Sequence, residues 1–449
     1  MIDTSIFKAY DIRGVYPTQI NAELVYKIAQ AYVKFIQPKT VVVGHDMRLC
    51  GEEFSTSIIQ ALTDAGVNVI NIGLVSTDQL YFAGATLPVE GGIQITASHN
   101  PKEFGGLKLV REKSRPISGD SGIYEIRDLV VSDQWKVESG KKGVVTEQNI
   151  FEDYYNHVLK TFNVGNFKKL KIVANTNFGM ATPAVEKLKT ILPVEFVEVI
   201  NGEVNGNFPK GRPDPLRPEN RDETIEAIKR LKPDLGVAWD ADADRCFFFD
   251  ENGTFVTAAY INALLAELYL KRHPGSKILH DTRVVRVIDA VVEQNGGISV
   301  TNKAGHSFIK ERMIADDIVF GCETSGHYFF KDNFYLDNGL LPLLAVLEIL
   351  STTDKTFSQV LKPLCEKFYI SEEINFEFNN KNILEGVKEQ YNKAKIDNVD
   401  GYDFNFPDWR FNVRLSNTEN LLRINLEADS AELLKQKIEE VSGLIERIK

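Results

Sequence analysis

Leu235-Gly236-Val237-Ala238-Trp239 runs directly into Asp240-Ala241-Asp242-Ala243-Asp244-Arg245. An apolar run of this length reads as a buried strand, and the polar residues at its carboxyl end as a functional loop. Three more segments share the arrangement: Val41-Val42-Val43 before Gly44-His45-Asp46, Lys171-Ile172-Val173-Ala174 before Asn175, and Ile278-Leu279-His280 before Asp281-Thr282-Arg283. Between them the apolar spacing predicts helices over Glu23 to Ile36, Glu52 to Ala65, Ala181 to Leu192 and Thr257 to Lys271. Strands that alternate with helices in this way predict an α/β fold. The last stretch differs: alternating segments at Glu372 to Phe378 and Phe411 to Leu415 precede a helix from Ser430 onward, which predicts a separate α+β domain.

A chain of 449 residues exceeds what one hydrophobic core serves, because cores stop growing at about 250–300 residues. Plausible joints near Glu147 to Glu152, Asp250 to Gly253 and Pro363 to Phe368 predict domains over 1–149, 150–251, 252–366 and 367–449. Hydrophobic residues at 43% and charged residues at 26% are ordinary globular values. With no apolar stretch of membrane-spanning length and no signal-peptide pattern, the expectation is a soluble, cytoplasmic protein. Cys50, Cys246, Cys322 and Cys365 lie far apart, so reduced and mostly buried thiols are expected rather than disulfides or a zinc ribbon. A net charge of -11 argues against nucleic acid as a partner. A small anion remains possible, since it needs only a local cluster of Arg and Lys.

Asp240, Asp242 and Asp244 repel one another, and a strand end tolerates them around a hard cation such as Mg²⁺. An EF-hand fits the spacing of these residues with Glu251, but Arg245 stands where that loop needs glycine and Phe247-Phe248-Phe249 continues as a strand. An aspartyl nucleophile of the haloacid-dehalogenase type also follows a strand, though Asp244 and Arg245 replace its usual downstream hydroxyl. A solvated acidic turn is the third alternative, opposed by Trp239 and the phenylalanines.

Thr96-Ala97-Ser98-His99-Asn100-Pro101 follows Ile93-Gln94-Ile95 and precedes Gly105-Gly106. Ser98 in such a loop is either a nucleophile or phosphate carrier, or part of an ordinary turn, with Pro101 and the glycines limiting how the loop bends. In Gly321-Cys322-Glu323-Thr324-Ser325-Gly326-His327, Glu323 and Ser325 are spaced to point the same way and engage sugar hydroxyls. Arg414-Leu415-Ser416-Asn417-Thr418-Glu419-Asn420-Leu421-Leu422-Arg423 gathers hydroxyls, an amide and two guanidiniums that suit a phosphate dianion. A simple polar turn is the plainer reading of that last loop.

In this order, the four segments resemble the α-D-phosphohexomutase superfamily, of the phosphomannomutase/phosphoglucomutase type, along essentially the whole chain. The resemblance implies three similar mixed α/β domains and a C-terminal α+β domain around a central active-site cleft. It implies that Ser98 is the phosphoserine, that Asp240, Asp242 and Asp244 hold Mg²⁺ together with an oxygen on Ser98, and that Glu323 and Ser325 contact sugar hydroxyls. Arg414, Ser416, Asn417 and Thr418 then bind the idle phosphate, with Arg423 beside them. Phe7-Lys8-Ala9-Tyr10-Asp11-Ile12-Arg13-Gly14 looks like the family's N-terminal signature and puts Tyr10 and Arg13 in the cleft. Lys108 matches a family lysine and His306 a family histidine. Departures from the pattern are Asn420, Cys322, His45 and Arg283, of which Arg283 bears on how a phosphate or ring oxygen is held.

The implied reaction moves phosphate between O1 and O6 of a hexose through phospho-Ser98 and a hexose 1,6-bisphosphate, with Arg245 as a fixed cation. Lys108 is a candidate general base or acid, its pKa expected to fall because of Arg13, Arg245 and the metal. His99, His306 and His327 are alternatives. The substrate is expected to be a small phosphosugar, mannose or glucose, and the protein a monomer or homodimer. A phosphoglucosamine mutase and a non-catalytic sugar-phosphate sensor are the rival functions.

Overall fold

The computed structural model describes residues 2–380, 382–416 and 421–449. They fall into two compact units, residues 1–255 with 327–354, and residues 256–326 with 355–449.

In the first unit, Thr40–His45 lies inside a six-stranded sheet ordered Ile12–Val15, Phe104–Arg111, Gly91–Ile95, Thr40–His45, Asn68–Leu74, Val145–Glu147. It pairs parallel with Asn68–Leu74 and with Gly91–Ile95, whereas Phe104–Arg111 is antiparallel to both its neighbours. Val41, Val42 and Val43 are all fully buried, which is why this strand is uniformly apolar rather than alternating. The helix Ala22–Ile36 is capped by Asn21, whose side chain accepts from the Leu24 amide. Its Val25, Ile28 and Tyr32 share one core with Phe54, Ile58 and Leu62 of the helix Gly51–Asp64 and with Val41, Val43, Ile93 and Leu107 of the sheet.

The Ser98 segment is the turn joining the antiparallel strands Gly91–Ile95 and Phe104–Arg111. Gly105 and Gly106 do not bend that turn; they lie in the second strand. A Cβ on Gly106 would sit 2.3 Å from the Ile12 carbonyl oxygen and 2.8 Å from that of Thr96, so close backbone approach explains the glycine.

The second sheet of this unit has the same device. Leu235–Trp239 runs parallel to Lys171–Asn175, which runs parallel to Glu195–Ile200. The chain then turns through Asp240 to Arg245 and returns antiparallel as Cys246–Phe249. A short antiparallel pair, Tyr328–Phe330 with Leu336–Asp337, and the helix Leu341–Ser351 belong to this unit too.

In the second unit, Lys277–Asp281 pairs parallel with Ile298–Asn302 and Phe320–Cys322, flanked in sequence by the helices Ala258–Arg272, Arg286–Gln294 and His306–Asp316. Its C-terminal part is an antiparallel sheet ordered Tyr369–Ile370, Leu421–Ala428, Trp409–Leu415, Tyr402–Asn405, Lys395–Asp397, with Ile374–Glu377 also on Leu421–Ala428. Trp409, Phe411, Phe404, Leu422 and Ile424 form its core with Val441 and Ile445 of the closing helix Ala431–Ile448. Phe404 and Phe411 stack with centroids 4.6 Å apart. The architecture is mixed α/β with a C-terminal α+β region, as the alternation of elements predicts. Among the described residues no helix is long and apolar enough to cross a membrane, and no disulfide joins the four cysteines.

Candidate active site

The first unit brings its two turns together. Ser98 is buried and adopts a left-handed conformation, with φ of 47°. Its amide donates to Thr96 Oγ1 at 2.9 Å. Its hydroxyl lies 3.1 Å from His99 Nδ1 and 3.3 Å from Asp240 Oδ2. Burial lowers the His99 pKa well below the ordinary range, and the nearby Arg245, Arg13 and Arg212 guanidiniums push the same way. The ring beside Ser98 Oγ is thus held neutral.

Asp240, Asp242 and Asp244 are fully buried, with one oxygen from each within 4.8 Å of the others. On Asp242, Oδ2 takes the available donors: Thr77 Oγ1 at 2.5 Å, Lys108 Nζ at 2.8 Å and Thr96 Oγ1 at 3.2 Å. Its Oδ1 is buried without a hydrogen-bond partner, and a buried carboxylate oxygen left in that state is costly. Three converging carboxylates, one with an unclaimed oxygen, and a serine hydroxyl at the rim form an all-oxygen set that fits a hard divalent cation. Burial, with the charges of Asp244 and Asp242, raises Asp240 to about 7, against the pull of Arg245. Arg245 donates to Asp240 Oδ2 at 2.7 Å and lies 3.6 Å from Asp214. Asp244, His327 and Asp337 form a second group of potential ligands, with His327 Nε2 3.5 Å from Asp244 Oδ1.

Lys108 departs from the sequence expectation. Burial does favour its neutral form, but Asp242 at 2.8 Å and Asp244 at 2.5 Å outweigh burial and the repulsion of Arg13, so its pKa rises well above the ordinary lysine value. The reason is the register: Lys108 stands opposite Gln94 in the sheet, and its side chain reaches the carboxylates rather than the arginines. Arg13 is held by Asp11 at 2.5 Å and donates to Asn100 Oδ1 at 2.9 Å, which ties the N-terminal signature to the Ser98 turn. Tyr10 lies half-buried in the bend before the strand Ile12–Val15.

The second unit assembles two further groups. Arg283 donates to Asp281 Oδ2 at 2.6 Å, and its NH2 lies 3.3 Å from Glu323 Oε1 and 3.5 Å from Ser325 Oγ. Glu323 also accepts from the Gly305 amide at 2.8 Å, which places it at the start of the helix whose first residue is the buried His306. In the C-terminal sheet, Arg414 and Arg423 are direct cross-strand partners. Like charges so placed repel, and Glu373 lies between them, 3.0 Å from Arg414 and 3.4 Å from Arg423. The Ser416 amide donates to the Leu421 carbonyl at 2.8 Å. Asn417 and Thr418 lie outside the described residues.

Comparison with known proteins places these groups in a family. Models of phosphoglucomutase/phosphomannomutase match the chain in four consecutive pieces: alpha/beta/alpha domain I over residues 4–135, domain II over 152–253, domain III over 256–368, and the C-terminal domain over 373–444. The chain belongs to the phosphoglucomutase/phosphomannomutase family. It is 41% identical over 431 residues to a phosphomannomutase of Escherichia coli strain K12, covering 94% of each chain. It is 40% identical to phosphohexose mutases of Xanthomonas campestris pv. campestris, covering 98% of each. A crystal structure of a phosphoglucomutase/phosphomannomutase family protein from Burkholderia thailandensis superimposes with a TM-score of 0.91 at 29% identity, covering 100% of this chain and 98% of that one. The protein is a phosphohexomutase, an intramolecular phosphotransferase of the mutase kind.

Several residues that hold these groups in place escape a reading of motifs. Thr77 opens the helix Thr77–Thr86 and fixes Asp242. Arg212 donates to the His99 carbonyl at 3.0 Å from a loop far along the chain. Glu373 contacts both Arg414 and Arg423. These act through partners distant in sequence, so spacing carries no trace of them. Arg48 is different, because its segment His45-Asp46-Met47-Arg48 follows a buried strand as the quoted functional loops do.

Proposed function

We propose that the enzyme interconverts hexose 1-phosphate and hexose 6-phosphate, with mannose and glucose both accepted, through phosphorylated Ser98 and a hexose 1,6-bisphosphate. The observation that carries this reading is the placement of Ser98 Oγ 3.3 Å from Asp240, at the edge of a buried carboxylate triad with an unclaimed oxygen. Asp240, Asp242, Asp244 and an oxygen on Ser98 would hold Mg²⁺, which when bound offsets negative charge on the transferring phosphoryl group.

The chain's own groups do the rest. Arg245, fixed by Asp240, supplies a permanent positive charge beside the triad. His99, held neutral with Nδ1 3.1 Å from Ser98 Oγ, is the nearest proton acceptor for that hydroxyl. Lys108 carries its proton at Nζ and is assigned as a proton donor, with His327 as the second candidate. Arg13 steadies the turn through Asn100, and Tyr10 is assigned to substrate. In the second unit, Arg414, Arg423 and Ser416, with Asn417 and Thr418, are assigned to the idle phosphate. Glu323 and Ser325 are assigned to sugar hydroxyls, with Arg283 and His306 as their supports.

Acceptance of two sugars agrees with relatives named as phosphomannomutase and as phosphohexose mutases. Mannose and glucose differ at C2, whereas Glu323 and Ser325 are expected at other hydroxyls. On this reading the enzyme works in the cytoplasm on a small phosphosugar, as a monomer or homodimer. A coupled assay of mannose, glucose and glucosamine 1-phosphates, with and without Mg²⁺, tests it. Turnover of the first two in the presence of Mg²⁺ is expected; preference for the amino sugar overturns the assignment.

A further inference from the structure

Arg48 has no part in the roles set out above, yet its side chain is wholly shielded from solvent. Its guanidinium is spent almost entirely on one segment. NH2 donates to the carbonyl of Ser98 at 2.6 Å and of Asn100 at 2.7 Å, while NH1 donates to the carbonyl of Pro101 at 2.9 Å and of Phe104 at 3.0 Å. The remaining carbonyl between Ser98 and Asn100, that of His99, is taken by Arg212. Ser98, Asn100 and Pro101 lie outside the strands, and of their carbonyls Pro101's also accepts from the Phe104 amide at 3.1 Å; for those of Ser98 and Asn100 no sheet ladder supplies a donor, and carbonyls removed from water must find one.

Arg48 is itself held. Its amide donates to Asp46 Oδ1 at 2.9 Å, Asp46 Oδ2 lies 3.7 Å from Nε, and the ring of Phe208 lies 5.3 Å from the guanidinium carbon. A planar fork with fixed donor directions constrains its acceptors in a way that a lysine ammonium on a flexible stem does not. The conformation being constrained is unusual, since Ser98 sits at φ of 47°, a region that side chains other than glycine seldom occupy.

We propose that Arg48 is a positioning residue for phosphoryl transfer: it clamps the carbonyls of the Ser98 turn from beneath and so fixes Ser98 Oγ against Asp240. Its buried positive charge also lies under the segment that receives a phosphoryl dianion. The proposal rests on the reading of Ser98 as the phosphate carrier. It predicts that weakening the clamp slows transfer from each phosphorylated site, since a displacement of about 1 Å at a reacting atom costs about 100-fold.

The test uses the full chain as wild type, Arg48→Lys and Arg48→Ala, each charged with glucose 1,6-bisphosphate. Intact mass gives the fraction phosphorylated. Rapid-quench transfer to glucose 6-phosphate then gives a rate per phosphorylated site, and thermal unfolding confirms that each variant is folded. The expected result is a rate per site about 100-fold lower in Arg48→Lys and partial recovery of Arg48→Ala by added guanidinium ion. If Arg48→Ala does not fold, Arg48→Lys decides alone. A variant that only reduces the amount of active protein transfers at the wild-type rate once normalised, and that outcome overturns the proposal. Wild type that takes up no phosphate at Ser98 overturns the phosphoserine reading instead, so the two failures are distinct.

Discussion

The turn around Ser98 and the hairpin that carries Arg414 and Arg423 both combine hydroxyls with guanidiniums, but they spend their arginines differently. Around Ser98, Arg48 and Arg212 face backbone carbonyls and Arg13 faces Asp11 and Asn100. These cations are consumed in holding the chain, and a charged ligand arriving there meets a turn already set. In the hairpin, Arg414 and Arg423 stand opposite each other and both contact the half-buried carboxylate of Glu373. Both guanidiniums are thus tied to a side chain rather than to the backbone of a turn. Reaction chemistry benefits from groups fixed in advance, whereas the idle-phosphate role proposed for the hairpin benefits from donors that exchange partners.

The largest effect expected from this contrast comes at the fixed turn. Ser98→Ala removes the proposed phosphate acceptor while leaving its scaffold of carbonyl contacts in place. Activity should fall by at least about 10³-fold, and the mass increase on incubation with hexose 1,6-bisphosphate should disappear. A variant that still gained phosphate would place the carrier at another residue and break the comparison at its root.

The fold and the first half of the site were legible for the same physical reason. Buried strands such as Val41 to Val43 and Leu235 to Trp239 have uniformly apolar sequences, and the polar turns that follow them stand out against that background. Ser98 and the Asp240 loop are read in that way, and the structure brings them together. The state of Lys108 was not legible. The sequence places arginines near it, but only the pairing of the strand Phe104–Arg111 shows that two carboxylates claim its ammonium first. Nor could the sequence reveal the clamp on the Ser98 carbonyls, since backbone acceptors leave no mark in a motif. Glu373 was invisible too, because an isolated glutamate in a strand-to-strand link gains meaning only through Arg414 and Arg423.

A smaller effect is expected at the hairpin. Arg414→Lys keeps the charge but loses the paired donors of the guanidinium, so the KM for hexose 1-phosphate should rise about 10-fold. The phosphate carried on Ser98 should persist. Initial-rate measurements over a range of substrate, combined with intact mass, separate the two. A fall confined to kcat would mean that this hairpin acts on the reacting phosphate, and the division of labour drawn between the two regions would be wrong.

The smallest effect concerns how the second unit supports Arg283. His280 lies three residues before it, fully buried, with Nδ1 2.8 Å from the Asp281 carbonyl oxygen and Nε2 3.0 Å from Asp289 Oδ1 and 2.8 Å from Ser299 Oγ. Burial favours the neutral ring, but Asp289 and the Asp281 carbonyl outweigh it, and the His280 pKa is raised above its ordinary value. A raised folded-state pKa means that the folded protein holds the proton more tightly than the unfolded chain. The stabilisation is therefore complete below the ordinary histidine value of about 6.5 and is lost as pH rises through the higher folded value. Asp289 is partly exposed, so the pair contributes below about 1 kcal/mol. Asp289→Asn should lower the unfolding midpoint more at about pH 5.5 than at about pH 8.5, as followed by thermal scans of both proteins. An equal loss at the two pH values would show that Asp289 acts only as a hydrogen-bond acceptor for Ser299 and a neutral ring, with no protonated histidine beneath the Arg283 loop.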